Sequence, residues 1–347
     1  MTVVQREAPC RIDLAGGTID LWPLYLYLGN LELVQMALSL KAKSIVTVEK
    51  SAKTKIVIES ADYSRSMTFD SLLELRKSLK KTTKANPLRW LCRVAEFFLS
   101  RSQHQGTLIL KTSSEVPPGS GLGGSSTLGI AMGQSLAEAL NDPLAKNPWV
   151  LQQSIRDLEA IEIEHPAGDQ DYVPALFGGL LVFKLAPGSR NIERLSSEVA
   201  QTISDRSALI YTGKPHHSGL NNWQIFRAAH EGKRIPLKRL QKIQKISGQM
   251  AEALRVGNFK NFEKLINAEW AERQQLAKAV NAPVLVDAWN FAKKHGATAR
   301  KACGAGGGGC LYVYFPDAEK CKAFVQSPLK KGWKVFKVIE SPSGVIG

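Results

Sequence analysis

The chain has 347 residues, 44% of them hydrophobic, enough for one large core or two ordinary ones, so a disordered chain is excluded and two domains are favoured. No apolar run approaches the roughly 20 residues that span a bilayer, and MTVVQREAPC lacks the layout of a secretory signal, so a cytoplasmic protein without a membrane partner is expected. A formal charge of +15 would suit nucleic acid, but basic residues recur along the whole chain, and the densest run, Lys233 to Lys245, spaces Ile and Leu so that its charges can sit on a solvated helical face. We therefore expect no nucleic-acid partner, and a field that attracts anionic nucleotides or sugar phosphates.

Strand character opens the chain in CRIDLAG, returns after a glycine turn in SIVTVEK, and continues through KIVIES and SMTF. PLRWLCRVAEFFLSR carries apolar residues at helical spacing, and GTLILKTSS is a strand leading straight into EVPPGSGLGGSST. Leu128, Ala131, Met132, Leu136, Ala139 and Leu140 then place a helix from about Ser125 to Leu140. Strand, glycine loop and helix are consecutive. A second helix is predicted over Val150 to Ile163, followed by the irregular EHPAGDQD and a strand in GGLLVFKL. The polar, weakly periodic stretch from Ala186 to Ser207 is read as the domain junction, giving domains of residues 1–188 and 189–347. Beyond it ALIYT is a strand, Asn221 to Val280 several helices, KACGAGGGGCLYVYF a glycine turn entering a strand, Asp317 to Gln326 a helix and WKVFKVI a strand. The expected fold class is α+β in two domains, the second ferredoxin-like. Cys10, Cys92, Cys303, Cys310 and Cys321 have neither the even count nor the close pairing of a disulfide framework or zinc site, so reduced thiols are expected.

Gly119, Gly121, Gly123 and Gly124 let the backbone turn back so that successive N–H groups converge on phosphate oxygens, and the following helix adds its positive end. The candidate nucleotide-binding residues are Pro118, Gly119, Ser120, Gly121, Leu122, Gly123, Gly124, Ser125 and Ser126. At the helix start, the hydroxyl of Ser125 or Ser126 can cap the helix or ligate a magnesium ion bridging the phosphates. The formal G-x-G-x-x-G match at Gly119, Gly121 and Gly124 lacks the βαβ context of a dinucleotide fold, and no G-x-x-x-x-G-K-[ST] occurs. A phosphate-binding loop of a third kind remains.

The ordered set APCRIDLAGGTIDL, PPGSGLGGSS, PAGDQDYVPALFGG and KACGAGGGGC resembles the motifs of the GHMP kinases, named for galactokinase, homoserine kinase, mevalonate kinase and phosphomevalonate kinase, from about Ala8 to Val313. APCRIDLAGGTIDLWPLY is most similar to the heptose-phosphate kinase branch. The resemblance implies a sugar kinase using ATP and Mg2+, with an N-terminal ATP-binding domain, a ferredoxin-like C-terminal domain and the reactants meeting between them. It makes Asp171 the catalytic aspartate, which takes or orients the acceptor proton, with Arg11 close enough to hold it ionised and to neutralise transferring charge. Gly16, Gly17 and Asp20 would bind the acceptor, with Asp20 holding its hydroxyls. Glu159 would bind magnesium with Ser125, Glu162 being its rival one turn later. Gly306 and Gly307, in the glycine run that begins at Gly304, would line the site from the second domain.

The acceptor this branch implies is D-glycero-D-manno-heptose 7-phosphate at its anomeric hydroxyl. Galactose, fucose, mevalonate and a non-catalytic sugar-sensing role are the alternatives. Three positions depart from the pattern: GGTID stands for GGGTD, Gly124 where Ser is usual, and Asp169 where a Lys is expected. His165, His216 and His217 lack metal-ligand spacing and receive no role.

Overall fold

In the computed structural model, which describes residues 1–83, 85–214, 219–276, 282–304 and 306–346, the strand-rich opening builds a seven-stranded sheet. β1 (Thr2–Ala15) and β2 (Leu31–Lys50) are long antiparallel partners joined through the glycine turn and a 3-10 turn at Leu24–Tyr27. β3 (Lys55–Ser60), β4 (Arg65–Phe69), β5 (Gly106–Ser114), β6 (Leu180–Ala186) and β7 (Ser189–Arg194) complete it in the order β4-β3-β5-β2-β6-β7, with β1 paired to β2 off this path. α1 (Leu72–Lys81), α2 (Arg89–Arg101), α3 (Gly124–Ala139), α4 (Pro148–Ile163) and α5 (Tyr172–Phe177) cover one face. Their shared core joins Val46, Ile58 and Leu110 of the strands to Leu75, Phe98, Ile130, Leu136 and Ile155 of the helices. Burial around almost the whole circumference of α3 explains its weak amphipathic pattern, because it lies between the sheet, α2 and α4.

The chain continues as α6 (Ser197–Asp205), β8 (Ser207–Tyr211), α7 (Gly219–His230), α8 (Arg234–Arg255), α9 (Phe259–Gln274), α10 (Pro283–Lys294), β9 (Ala299–Ala302), β10 (Cys310–Tyr314), α11 (Ala318–Val325) and β11 (Lys334–Lys337). Its antiparallel sheet has the order β11-β8-β10-β9, the interleaved strand order of a ferredoxin-like domain. Ile12, Leu14, Val34 and Met36 of the first sheet share a core with Leu209, Met250, Phe262 and Tyr312, so the halves pack together and the motif loops meet at their junction.

The polar Ala186–Ser207 stretch contains two elements. The β6–β7 hairpin keeps residues up to Arg194 in the first sheet, and β7 is polar because it is a partly exposed edge. α6 begins where the Ser196 side chain accepts the Val199 N–H. The basic run of α8 leaves Lys238, Lys242 and Lys245 exposed while Leu240 and Ile243 are buried. Among the described residues no helix is long and apolar enough to cross a membrane, and all five cysteines are buried and unpaired. His216 and His217 lie outside the described residues.

Candidate active site

β5 delivers the chain into the glycine loop, where Gly119, Gly121 and Gly123 take φ of 70°, 82° and 74°, a left-handed backbone that a side chain would strain. α3 starts at Gly124, so its unpaired N–H groups open onto the same space. The loop forms one wall of a cleft of about 380 Å³, lined also by Arg11, Thr18, Gln170, Asp171, Arg273 and Gly304. Tyr63, Pro87, Trp90 and Leu91 add an apolar surface suited to a nucleobase, and the Trp90 indole N–H donates to the Ser125 carbonyl at 3.3 Å. Sequence reasoning named none of these four. Only their distant positions in the chain kept them from view. A more open depression of about 680 Å³ beside β2, β6 and α8 contains none of the motif residues.

Arg11, on β1, is buried and points at the loop. Its Nε donates to Asp171 at 3.0 Å, its Nη2 pairs with the same carboxylate oxygen, and its Nη1 donates to the Gly121 carbonyl at 2.7 Å. Asp171 stands immediately before α5 and is 27% exposed, so the carboxylate faces the cleft while its guanidinium partner stays covered.

Asp20 is buried, with Oδ2 accepting the Gln170 N–H at 2.8 Å and Oδ1 lacking a hydrogen-bond partner. Burial, reinforced by the charges of Asp169 and Asp171, pushes its carboxyl up to about 7. A Cβ on Gly168 would lie 2.1 Å from Oδ2, so only glycine lets the loop close over Asp20. Asp169 is held by Arg156 at 2.7 Å, Gln152 at 2.9 Å and Arg190 at 3.4 Å. With two arginines already there, an acid fits this position where a lysine would add a third cation.

Glu159, on α4, is buried and accepts hydrogen bonds from Ser126 at 2.7 Å and from Tyr172. Burial raises its carboxyl, an effect that the hydroxyls of Tyr172, Ser126 and Ser125 offset in part. Glu162, one turn on, is instead taken up by Arg89 and Arg93. Ser126 is thus the closer hydroxyl to Glu159, and Ser125 lines the cleft.

The glycine run that begins at Gly304 lies against the glycine loop. The Cys310 N–H donates to the Ser120 carbonyl at 2.8 Å, and a Cβ on Gly121 would come within 2.4 Å of the Cys303 carbonyl oxygen. Gly304 lines the cleft; Gly306 and Gly307 do not. Gly16 and Gly17 serve packing as well: a Cβ on Gly17 would sit 2.0 Å from Arg273 Nη2 and 2.2 Å from Asp13 Oδ2. His165 stacks on Trp223 with ring centroids 6.0 Å apart.

Beneath the cleft lies a buried charge cluster that sequence reasoning also missed. Asp13 of β1 pairs with Arg273 at 3.0 Å and Lys301 at 3.2 Å, and Glu269 pairs with the same two bases at 2.8 and 3.2 Å. The Arg273–Glu269 spacing of one helical turn on α9 was the available signal.

The description of the GHMP kinases N terminal domain matches residues 89–179, which include the loop, Glu159 and Asp171, and that of the GHMP kinases C terminal matches residues 250–331, which include Arg273 and the glycine run. The chain belongs to the GHMP kinases. This kinase is 25% identical over 324 residues to the D-glycero-alpha-D-manno-heptose 7-phosphate kinase of Campylobacter jejuni, covering 92% of this chain and 91% of that protein. It is 26% identical over 338 residues to the L-fucokinase/L-fucose-1-P guanylyltransferase of Bacteroides fragilis, covering 91% of this chain and 35% of that longer protein. Its fold matches that of the Lactococcus lactis galactokinase complexed with galactose with a TM-score of 0.77 at 18% identity, over 99% of this chain and 94% of that one. The protein is an ATP-dependent sugar kinase, a phosphotransferase with an alcohol group as acceptor.

Proposed function

We propose that this kinase transfers the γ-phosphate of ATP to the anomeric hydroxyl of D-glycero-D-manno-heptose 7-phosphate, acting in the cytoplasm. The observation that carries the reading is the Arg11–Asp171 pair at the cleft wall, tied by the same guanidinium to the phosphate loop at Gly121. In this reading residues 1–188, with β7 added, bind ATP, and the remainder of the chain closes the acceptor side. The loop N–H groups and the start of α3 hold the phosphates, the Tyr63 and Trp90 surface takes the base, and Asp171 accepts or orients the acceptor proton. Asp20 does not itself line the cleft, but its Oδ1, buried without a partner behind the cleft residue Gln170, would accept from a sugar hydroxyl.

A magnesium ion fits beside Glu159. This carboxylate is buried next to the loop, hydroxyl groups surround it, and no basic side chain among the described residues pairs with it. A magnesium ion there would need only one carboxylate, a serine hydroxyl and phosphate oxygens. Glu159 and Ser125 would hold it, and it would neutralise charge on the transferring phosphate.

Likeness over nearly full length to the Campylobacter heptose 7-phosphate kinase supports the acceptor; likeness to the fucokinase favours a neutral sugar as the second reading. The test is an ADP-release assay across heptose 7-phosphate, unphosphorylated heptose, fucose, galactose and mevalonate. Efficiency with the heptose phosphate is expected to exceed that with the unphosphorylated sugar by at least about tenfold, about 1.4 kcal/mol of transition-state binding. A preference for a neutral hexose defeats the heptose-phosphate assignment.

A further inference from the structure

Arg11 and Arg273 are the two basic side chains among the described residues that line the cleft. Arg11 is committed at each guanidinium nitrogen, to Asp171 and to the Gly121 carbonyl. Arg273 is also engaged at each guanidinium nitrogen, but by partners other than Asp171 and the glycine loop. Its Nε donates to Glu269 at 2.8 Å, its Nη1 to the Gly304 carbonyl at 3.0 Å and its Nη2 to Asp13 at 3.0 Å, which leaves further N–H donors on the two Nη atoms. Lys301, fully buried, lies 3.2 Å from each of the same two carboxylates. Two acids therefore face two bases, so the cluster is balanced and carries no excess of carboxylate against an incoming anion.

Its position is beside the segment proposed to hold the acceptor. Arg273 packs so closely on Gly17, in the segment leading to Asp20, that a side chain there would collide with Nη2, and the negative charge of Asp20 acts on it.

We infer that Arg273 binds the anionic group of the acceptor, a phosphate monoester on the sugar whose hydroxyls Asp20 receives. This rests on the sugar-phosphate reading above. A planar fork fixed on three sides by buried partners is pre-organised for a dianion, and it matches phosphate oxygens in a way that a lysine ammonium does not. The buried partners serve to hold that fork in place, which gives the cluster of Asp13, Glu269 and Lys301 a positioning role in the kinase.

The test compares kcat/KM for heptose 7-phosphate and for unphosphorylated heptose in the wild type, Arg273→Gln and Arg273→Lys, with MgATP affinity measured in each. Arg273→Gln is expected to lose about 10- to 100-fold with the phosphorylated sugar, mostly in KM, and less than about threefold with the unphosphorylated one. Arg273→Lys should fall between, because it keeps the charge and loses the fork. If Arg273→Gln does not fold, Arg273→Lys carries the comparison. A wild-type preference for the phosphorylated sugar that survives in the variants overturns this inference alone, as does an equal loss with both acceptors. Absence of any preference in the wild type overturns the sugar-phosphate reading and this inference with it.

Discussion

Arg11 and Asp171 are separated by 160 residues, yet one guanidinium holds the aspartate at 3.0 Å and the Gly121 carbonyl at 2.7 Å. Asp171 and the glycine loop are therefore set relative to each other by a single buried side chain.

The first consequence is that Asp171→Asn should keep the fold and MgATP affinity while turnover falls by about two to four powers of ten, the usual range for losing an acid–base group. Steady-state kinetics with a calorimetric MgATP titration checks this. Near-normal turnover would remove Asp171 from the mechanism.

Magnesium use should separate the two neighbouring glutamates of α4. Ser125→Ala and Glu159→Gln are expected to raise the Mg2+ concentration needed for half-maximal rate without changing acceptor KM. Glu162→Gln should leave the magnesium titration alone and cost about 2 kcal/mol of stability, since it strands Arg89 and Arg93 in a largely covered site. A shifted magnesium titration for Glu162→Gln, or none for Glu159→Gln, contradicts this division.

Asp20 should give the enzyme a pH dependence near neutrality. With its carboxyl pushed up to about 7, the folded state holds a proton that the unfolded chain has released, so this group's contribution makes stability fall as pH rises from about 4 to 7. Sugar hydroxyls donate better to the ionised carboxylate, so acceptor affinity is expected to rise through about pH 7 in the free enzyme. Asp20→Asn should flatten that inflection in a plot of log kcat/KM for the acceptor. A profile that keeps the inflection in this variant assigns it to another group.

Thr18 occupies a backbone conformation with φ of 78°, in the segment where GGTID replaces GGGTD. A β-branched residue is strained there, so Thr18→Gly should stabilise the protein by about 1 kcal/mol, read as a higher midpoint in thermal unfolding. A lower midpoint would show that the contacts of the threonine side chain outweigh its backbone strain.

Much of this architecture was legible because its signals are local. The strand, glycine loop and helix around Gly119 to Ser126 follow from periodicity and from glycines that all three take positive φ at Gly119, Gly121 and Gly123. What stayed hidden depends on tertiary contact. β7 looked like a linker because an edge strand with one exposed face is polar. Glu159 and Glu162 are equivalent on paper, and only Arg89 and Arg93, from α2, distinguish them. Asp13, Glu269, Arg273 and Lys301 come from β1, α9 and β9, so no motif could have shown them as one cluster. The same holds for Trp90, which meets the loop through the Ser125 carbonyl.

The most direct measurement is phosphorus NMR of the product formed from ATP and D-glycero-D-manno-heptose 7-phosphate by the wild-type enzyme. The account predicts stoichiometric ADP and a sugar bisphosphate whose new phosphorus couples to the anomeric proton. A new phosphate on any other hydroxyl, or no transfer to this acceptor while a neutral sugar is phosphorylated, would contradict it.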